Sequence, residues 1–347
     1  MDNLWEGAED MRRRVTALAL LLCLALTACG GGEDSRDQGL FQEASGVEET
    51  EVLLTVDGRE VPAWRYLHWL RRCCGQLREQ YRAAGLPLDW NAPVEGGTLA
   101  DYVKDQALAD TALYATVETL AEANGCALDE ADLAALESAW EEKAAEYGGE
   151  EAYLRRLADM GLDRARMEEL AGVGRLYAKL YDLYLEEGSA LAPAPEALAA
   201  FAAEQGRITV NRLLFAVGED RESARQRAAE AFARLNTAED LRAEFAALAA
   251  EGDDRLGPRT FTLGDGTLDQ ELEAAAQALE AGQCSGILET GEGFSILLRE
   301  ETDCGGVEED YFDHLLQEAA ENAEVRLTES YRALDPAAFA ARLTEEG

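Results

Sequence analysis

The chain has 347 residues, of which 70 are acidic and 31 are Lys or Arg, so its formal net charge at pH 7 is −39. Such a surface repels the phosphates of nucleic acids and of anionic lipid heads, which argues against nucleic acid as a partner and against broad contact with a membrane face. Apolar residues make up 47% of the chain and charged residues 29%, the balance of a globular protein with a sizeable core.

The first segment of the chain predicts an export signal. Arg12–Arg14 forms a basic block, and Val15–Leu26 is apolar apart from one Thr. A basic block, a short apolar run and small residues are the arrangement of a signal peptide. The apolar run is shorter than the roughly 20 residues of a membrane-spanning helix. We therefore predict a signal peptide over residues 1–28.

A four-residue motif ends this segment. Leu26-Thr27-Ala28-Cys29 resembles the lipobox of bacterial lipoproteins, which implies a lipid on the sulfur of Cys29 and a mature N-terminus there. The alternative is an ordinary signal peptide with an incidental Cys. Residues 29–50 are rich in Gly, Glu, Asp and Ser, and they predict a flexible tether with little apolar surface to bury.

The remaining cysteines match no metal-binding pattern. His68 and His314 are isolated in the sequence, so we predict neither a metal site nor a cofactor. An exported location permits disulfides, and the pairing stays open between bridges, such as Cys284 with Cys304, and buried free thiols. The cysteines concerned are Cys73, Cys74, Cys126, Cys284 and Cys304.

Residues 51–206 predict a mainly helical region. It starts with an alternating stretch, Glu51–Val61, whose Asp57-Gly58 pair indicates a hairpin turn. Helical spacing of apolar residues follows, with breaks at glycines and an N-cap at Asp163. The predicted helices begin at Pro62, Leu99, Asp129, Glu150, Asp163 and Pro193.

The composition changes after Gly206. A strand over Ile208–Val217 is followed by three helices separated by a Gly-containing loop, and then by a hairpin over Cys284–Arg299. The predicted order of this block is β-α-α-α-β-β. One long helix over Glu308–Tyr331 is predicted to close the chain.

That block resembles a parvulin-type peptidyl-prolyl isomerase domain over residues 207–301. The pieces that carry the resemblance are "ITVNRLLF", "FAALA", "LGPRTF", "TLDQELEAAAQALEAGQCSGILET" and "GFSILL". The flanking stretches "VLLTVDGREVPAWRYLHWL" and "YGGEEAYLRRLADMGLDRARMEELAGVGRLYAKL" look like the N-terminal region of extracytoplasmic folding factors of the SurA and PrsA type.

The resemblance implies an α+β fold with an inserted domain. A helical chaperone-like domain over residues 51–206, completed by a C-terminal helix within 302–347, would carry the parvulin-like domain as an insertion. The lipobox-like motif implies that the protein is held by its lipid on the outer face of the cytoplasmic membrane, as in the PrsA-like branch of Gram-positive bacteria.

The resemblance also implies the site positions. Parvulins carry a His early in the first strand and another in the last, and here those positions are Arg212 and Ser295. A third family position falls near Asp254. The apolar residues that would bind proline are Phe261, Leu268 and Leu272, the last at a position where Phe is usual. Without the two histidines, the resemblance implies a surviving apolar pocket and a lost polar network.

These residues lead to three hypotheses. The first is a lipid-anchored folding factor that binds unfolded, proline-containing exported chains, with isomerase activity weak or lost. The second is an active peptidyl-prolyl isomerase. Rotation about an Xaa-Pro bond moves no proton, so the residues leave the choice between them open. The third is a solute-binding lipoprotein, which would need two lobes of alternating strands and helices.

Overall fold

The structure is a computed structural model and describes residues 39–218, 220–254 and 257–343. The predicted signal peptide, Cys29 and the first part of the predicted tether lie outside these residues. The chain divides into two compact units. One is formed by the residues up to 192 together with those from 312 onward, and the other by residues 193–311.

The first unit is mainly helical, and its long helices were predicted from their caps and apolar spacing. Asp129 and Thr98 each accept a backbone hydrogen bond at a helix start and form capping boxes with the residue three positions on. The helices are α1 Leu40–Ser45, α2 Ala63–Ala83, α3 Leu99–Ala123, α4 Glu130–Glu146, α5 Glu150–Ala158 and α6 Arg164–Leu185. The strands before residue 192 are β1 Val52–Val56, β2 Arg59–Pro62, β3 Pro93–Val94 and β4 Gly97–Thr98.

The predicted hairpin at the start of this unit is confirmed. Strands β1 and β2 pair antiparallel across Asp57 and Gly58, whose φ angles are 49° and 82°. Two consecutive positive φ angles define the turn that matches the twist of hairpin strands, and Asp-Gly favours it. A third strand from the end of the chain, β9 Val325–Leu327, pairs with β1 on its other side, giving the order β2-β1-β9.

The predicted single helix over Glu308–Tyr331 is wrong. The helix ends at Asn322, and the chain then forms β9 and two short helices. Val325 and Leu327 take extended backbone because Leu54 and Val56 offer them strand partners, a contact that local helical spacing does not reveal. The elements of this segment are α11 Glu308–Asn322, α12 Glu329–Ala333 and α13 Pro336–Arg342.

The predicted tether is also too long. Its last part forms α1, in which Phe41 is fully buried and lies 6.3 Å, centroid to centroid, from the ring of Phe339. The carboxylate of Glu49 accepts the backbone N–H of Phe41 and forms an ion pair with Arg166. An apolar side chain in a polar stretch is enough to anchor a short helix when a core surface lies beside it.

A buried ion pair joins the two central helices of the first unit. Arg65, on α2, is 4% exposed and donates two hydrogen bonds to the carboxylate of Glu118 on α3, at 3.0 and 2.8 Å. Beside it, Trp69 and Tyr114 pack their rings 4.7 Å apart. The pair aligns the two helices because only one register brings both charges together.

The second unit is a four-stranded antiparallel sheet with helices on both faces. Its order is β6-β5-β8-β7. The strands are β5 Arg207–Ala216, β6 Arg259–Thr262, β7 Leu288–Glu289 and β8 Gly293–Arg299. The helices are α7 Pro195–Glu204, α8 Arg221–Thr237, α9 Leu241–Glu251 and α10 Gln270–Ala278, and the unit ends inside α11.

The α+β fold class is confirmed, with one additional strand. The order from β5 to β8 is β-α-α-β-α-β-β, because β6 pairs with β5 where the sequence predicted only a loop. Thr260, Phe261 and Thr262 are β-branched or aromatic residues, which suit a strand. The strands before residue 192 are short and separated by long helices, so the first unit lacks the lobes of a solute-binding protein.

The five cysteines after residue 70 are free thiols in the structure. Burial raises the pKa of Cys74 to about 12 and that of Cys284 to about 11, so both are protonated and unreactive near neutral pH. Within the described residues, no cluster of His, Cys, Asp and Glu is arranged to hold a metal ion. None of the helices described combines the length and apolar character needed to cross a membrane.

The first unit should depend on its C-terminal segment. Tyr331 is 4% exposed and lies 5.0 Å from the ring of Tyr66, so Tyr331→Ala should lower the free energy of unfolding by about 3 kcal/mol or more. Denaturant unfolding followed by Trp fluorescence measures this unit, because the tryptophans in the described residues all precede residue 193. They are Trp64, Trp69, Trp90 and Trp140. Tyr102→Ala, at a side chain 37% exposed, is the matched control and should cost little. Equal losses in the two variants would contradict a stabilising C-terminal segment.

Candidate functional site

The two faces of the sheet in the second unit differ. On one face, residues of β5 and β8 form a closed core with α8 and α9, centred on Leu213, Phe245 and Ile296. On the other face, α10 covers only part of the sheet, and its Leu272 packs against Val210 and the neighbouring strand. The uncovered part of this face is a cleft of about 330 Å³.

The floor of this cleft is apolar. Phe261 of β6, Leu268 before α10 and Leu272 within α10 line it together with Val210 and Leu297 from the sheet. Leu272 is 2% exposed, whereas Phe261 and Leu268 are partly exposed and accessible from the cleft. The three apolar residues predicted from the sequence are therefore brought together on one surface.

Arg212 forms one wall of the cleft. Alternation along β5 places its side chain on the same face as Val210, opposite to Leu213. Its side chain is only 20% exposed, because it lies against two carboxylates. Nε and Nη2 donate to Oδ2 of Asp254 at 2.9 and 2.7 Å, and Nη1 donates to Oε2 of Glu292 at 2.8 Å.

Asp254 is held below this wall by the loop after α9. The backbone N–H of Asp253 donates to the carbonyl of Leu214, and its carboxylate accepts the N–H of Ala216, so the loop is fixed to the end of β5. Asp254 is 8% exposed and also accepts a hydrogen bond from Nη2 of Arg259 at 3.1 Å. One buried carboxylate is thus shared by two guanidinium groups.

These contacts keep Arg212 charged. Burial alone would lower the pKa of Arg212, but its hydrogen bonds to Asp254 and Glu292 stabilise the cation and raise the pKa above its ordinary value. The side chain therefore does not transfer a proton as a general acid, and it is not a solvated surface group. The sequence implied that the polar network of this cleft had been lost. The structure has a different polar network there, with Arg212 and Asp254 at its centre.

Ser295 lies elsewhere. Its residue pairs with Leu214 and Leu288, while Arg212 pairs with Leu297, so the two positions are diagonal and not directly opposite. Ser295 is fully buried and does not line the cleft, and its Oγ has no hydrogen-bond partner among the described residues. By this register Ser295 shares the face of Arg212 and Leu297, but its side chain is covered and does not reach the cleft.

Two charged residues of the site were missed in the sequence. Arg259 and Glu292 lie in a strand and a turn, at sequence distances from Arg212 that no local pattern connects. The signal for Glu292 was present in the hairpin turn "ETGEG", where its neighbour Gly293 has a φ of 151°. A Cβ at Gly293 would lie 2.3 Å from the carbonyl oxygen of Phe215, so glycine is required for this turn to approach β5.

Residues 207–301 match the family model called Rotamase, described as a PPIC-type PPIASE domain. This part of the chain is a peptidyl-prolyl isomerase domain of the parvulin class, and the resemblance found in the sequence is confirmed. The search among curated proteins gave no match.

Several solved structures are similar to the chain at low identity. The peptidylprolyl isomerase PrsA from Bacillus cereus is 16% identical, with a TM-score of 0.26, and the match covers 79% of this chain and 87% of that one. PrsA from Bacillus subtilis is 16% identical, with a TM-score of 0.22 and coverages of 86% and 92%. One of the SurA-like chaperones of Campylobacter jejuni is 16% identical, with a TM-score of 0.21 and coverages of 67% and 92%. The domain assignment rests on the family match, since these TM-scores are too low to establish a shared overall arrangement.

The turn that carries Glu292 should depend on Gly293. Gly293→Ala should destabilise the pairing of β8 with β5 by about 1–3 kcal/mol, because the new methyl group meets backbone atoms and the φ angle disfavours it. Amide hydrogen exchange over residues 207–216 and 293–299 measures this pairing. Gly291→Ala, which meets no atom within 4 Å, is the matched control. Unchanged exchange in Gly293→Ala would show that the turn tolerates a side chain.

Proposed function

We propose that this protein is a lipid-anchored extracytoplasmic folding factor that binds unfolded, proline-containing segments of exported chains. The observation that carries the proposal is the apolar cleft of residues 207–301, in which Phe261, Leu268 and Leu272 meet on the open face of a parvulin-class sheet. A proline ring is apolar and compact, so a cleft of this size and lining suits it.

Binding in this cleft would bear directly on isomerisation. The barrier to rotation about an Xaa-Pro bond comes from amide resonance, and neither a proton nor a covalent bond has to be transferred to cross it. A cleft that grips the proline ring while the preceding carbonyl turns into a poorly solvated space lowers that barrier. The apolar floor supplies the grip.

The polar wall argues for weak catalysis. Three of the N–H groups of Arg212 are engaged by Asp254 and Glu292, so fewer are available to a twisted carbonyl oxygen. The buried Ser295 contributes nothing to the wall. We therefore place binding of unfolded chains first and rapid turnover second.

An active isomerase is the second candidate, and one contact favours it. Glu292 is 65% exposed at its side chain, so its ion pair with Arg212 exchanges readily with water or substrate. Arg212 would then be able to donate to the turning carbonyl, as preorganised donors do at sites of developing charge.

The proposed location follows from the N-terminus and from the relatives. The proteins named PrsA include two described as foldase proteins, and the Campylobacter jejuni proteins are described as SurA-like chaperones. The lipobox-like Leu26–Cys29 supports attachment through a lipid to the outer face of the cytoplasmic membrane of a Gram-positive bacterium. The helical first unit, including its C-terminal segment, would supply further apolar contact to unfolded clients.

Peptide binding is expected to require the apolar floor. Leu268→Gln should weaken binding of a prolyl tetrapeptide such as Ala-Ala-Pro-Phe by about tenfold, since it removes apolar contact worth about 1.5 kcal/mol. Calorimetry on the protein beginning at residue 30 measures this. Ile287→Gln, at a side chain 36% exposed outside the cleft, is the matched control.

The same proteins decide between the two candidates in a protease-coupled isomerisation assay. Slow isomerisation with intact binding supports a folding factor, while turnover as fast as that of a His-containing parvulin supports the enzyme. Equal affinity of Leu268→Gln and the unaltered protein would place peptide binding outside this cleft.

Lipidation is tested at Cys29. Cys29→Ala should accumulate as an unprocessed precursor without fatty acid when expressed in a Gram-positive host, because the acylated sulfur is lost. Incorporation of a labelled fatty acid measures this, with Cys23→Ala in the apolar run as the matched control. Labelling of Cys29→Ala at the unaltered level would exclude Cys29 as the attachment site.

A further inference from the structure

Two guanidinium groups line the same wall of the cleft. Arg212 and Arg259 both donate to the buried Asp254, whose side chain is 6% exposed. Arg259 is 42% exposed and uses one amino group for this contact, so the rest of its planar donor surface faces solvent and cleft. The carboxylates described around these two arginines are those of Asp254, Asp269 and Glu292.

The carboxylates around this pair differ in how firmly they are held. Asp254 is buried and bonded by both arginines, so it is a fixed part of the wall. Asp269, which also lines the cleft, accepts the backbone N–H of Glu271 as the cap of α10. Among the residues that the structure describes, the carboxylate of Glu292 pairs with Arg212, on an exposed turn, and such a pair contributes little to stability. Glu292 is therefore the carboxylate that another can replace.

We infer that Arg212 and Arg259 form a subsite for the carboxylate of an Asp or Glu residue adjacent to the bound proline, and that Glu292 occupies it in the absence of substrate. The inference rests on the proposed binding of prolyl segments in this cleft. With Glu292 displaced, the two arginines face only Asp254 and Asp269 among the carboxylates described at the cleft, and both of these are already held by hydrogen bonds. Guanidinium groups match carboxylates in planar, paired hydrogen bonds better than other cations do.

The dimensions of the cleft restrict the acidic residue to a neighbour of the proline. Arg212 and Arg259 line the same 330 Å³ space as Phe261, Leu268 and Leu272. Consecutive Cα atoms are about 3.8 Å apart, so only the residue directly before or after the proline keeps its carboxylate within this space. The strong overall negative charge of the chain acts at longer range and is screened beyond about 8 Å at physiological ionic strength.

The test compares matched peptides on the protein beginning at residue 30. Ala-Glu-Pro-Phe and Ala-Pro-Glu-Phe are each titrated against their Gln and Lys counterparts by calorimetry. At least one Glu peptide should bind about fivefold more tightly than its Gln counterpart, the size of an exposed charge pair, and the Lys peptide should bind most weakly. Arg259→Gln should abolish the preference for Glu, so that the Glu peptide and its Gln counterpart bind this variant with equal affinity.

The competition by Glu292 is tested separately. Glu292→Gln should raise the ratio of Glu-peptide to Gln-peptide affinity about threefold, because the internal competitor is gone. Glu289→Gln is the matched control, because it makes the same change of net charge at a carboxylate that pairs with Arg221 outside the cleft. It should leave the ratio of the two peptide affinities unchanged. Equal effects of the two variants would show that only the net charge matters, and they would contradict the proposed competition between Glu292 and the peptide carboxylate.

The outcomes separate this inference from the function it rests on. If Glu, Gln and Lys peptides bind equally well, the carboxylate subsite is wrong while prolyl binding stands. If no prolyl peptide binds at all, both are wrong. A preference for Glu that survives Arg259→Gln would assign the carboxylate to a different wall and overturn the subsite.

Discussion

The pairing of β1 with β9 is the contact on which the first unit depends. It joins a strand that begins at residue 52 to one that ends at residue 327, and Thr328 reinforces it by donating its hydroxyl to the carbonyl of Leu53, 275 residues away. The C-terminal helices then pack Tyr331 and Phe339 into the helical core. Because described residues near both ends of the chain belong to the first unit, the second unit lies between them in sequence.

The elements that the sequence predicted well are those specified by neighbouring residues. Asp57-Gly58 fixes a hairpin turn through its own backbone angles, and the carboxylates of Asp129 and Asp163 cap helices within three residues. The failures concern distant partners. The strand β9 and the burial of Phe41 are decided by surfaces that lie hundreds of residues away in the chain, and no local period encodes them.

The same limit separates what was predictable at the cleft from what was not. Apolar residue types at parvulin positions identified Phe261, Leu268 and Leu272. Arg212 and Asp254 were predicted only as separate positions, and the pairing with Glu292 was missed, because Arg212 finds its partners 42 and 80 residues away. Ser295 shows the opposite case. Its position in the strand matches the family, but its side chain is fully buried and has no access to the cleft.

The β1–β9 pairing has a consequence for the protein's own biogenesis. A chain synthesised from its N-terminus presents the hairpin of β1 and β2 long before β9 is made, and the free edge of β1 is open to other strands in the meantime. Pairings this remote in sequence also form slowly, because the entropy cost of closing a large loop comes before the stabilising contacts form. Completion of the first unit is thus delayed until β9 has been made. During that interval the proposed folding factor is itself an unfinished chain with an unpaired strand edge.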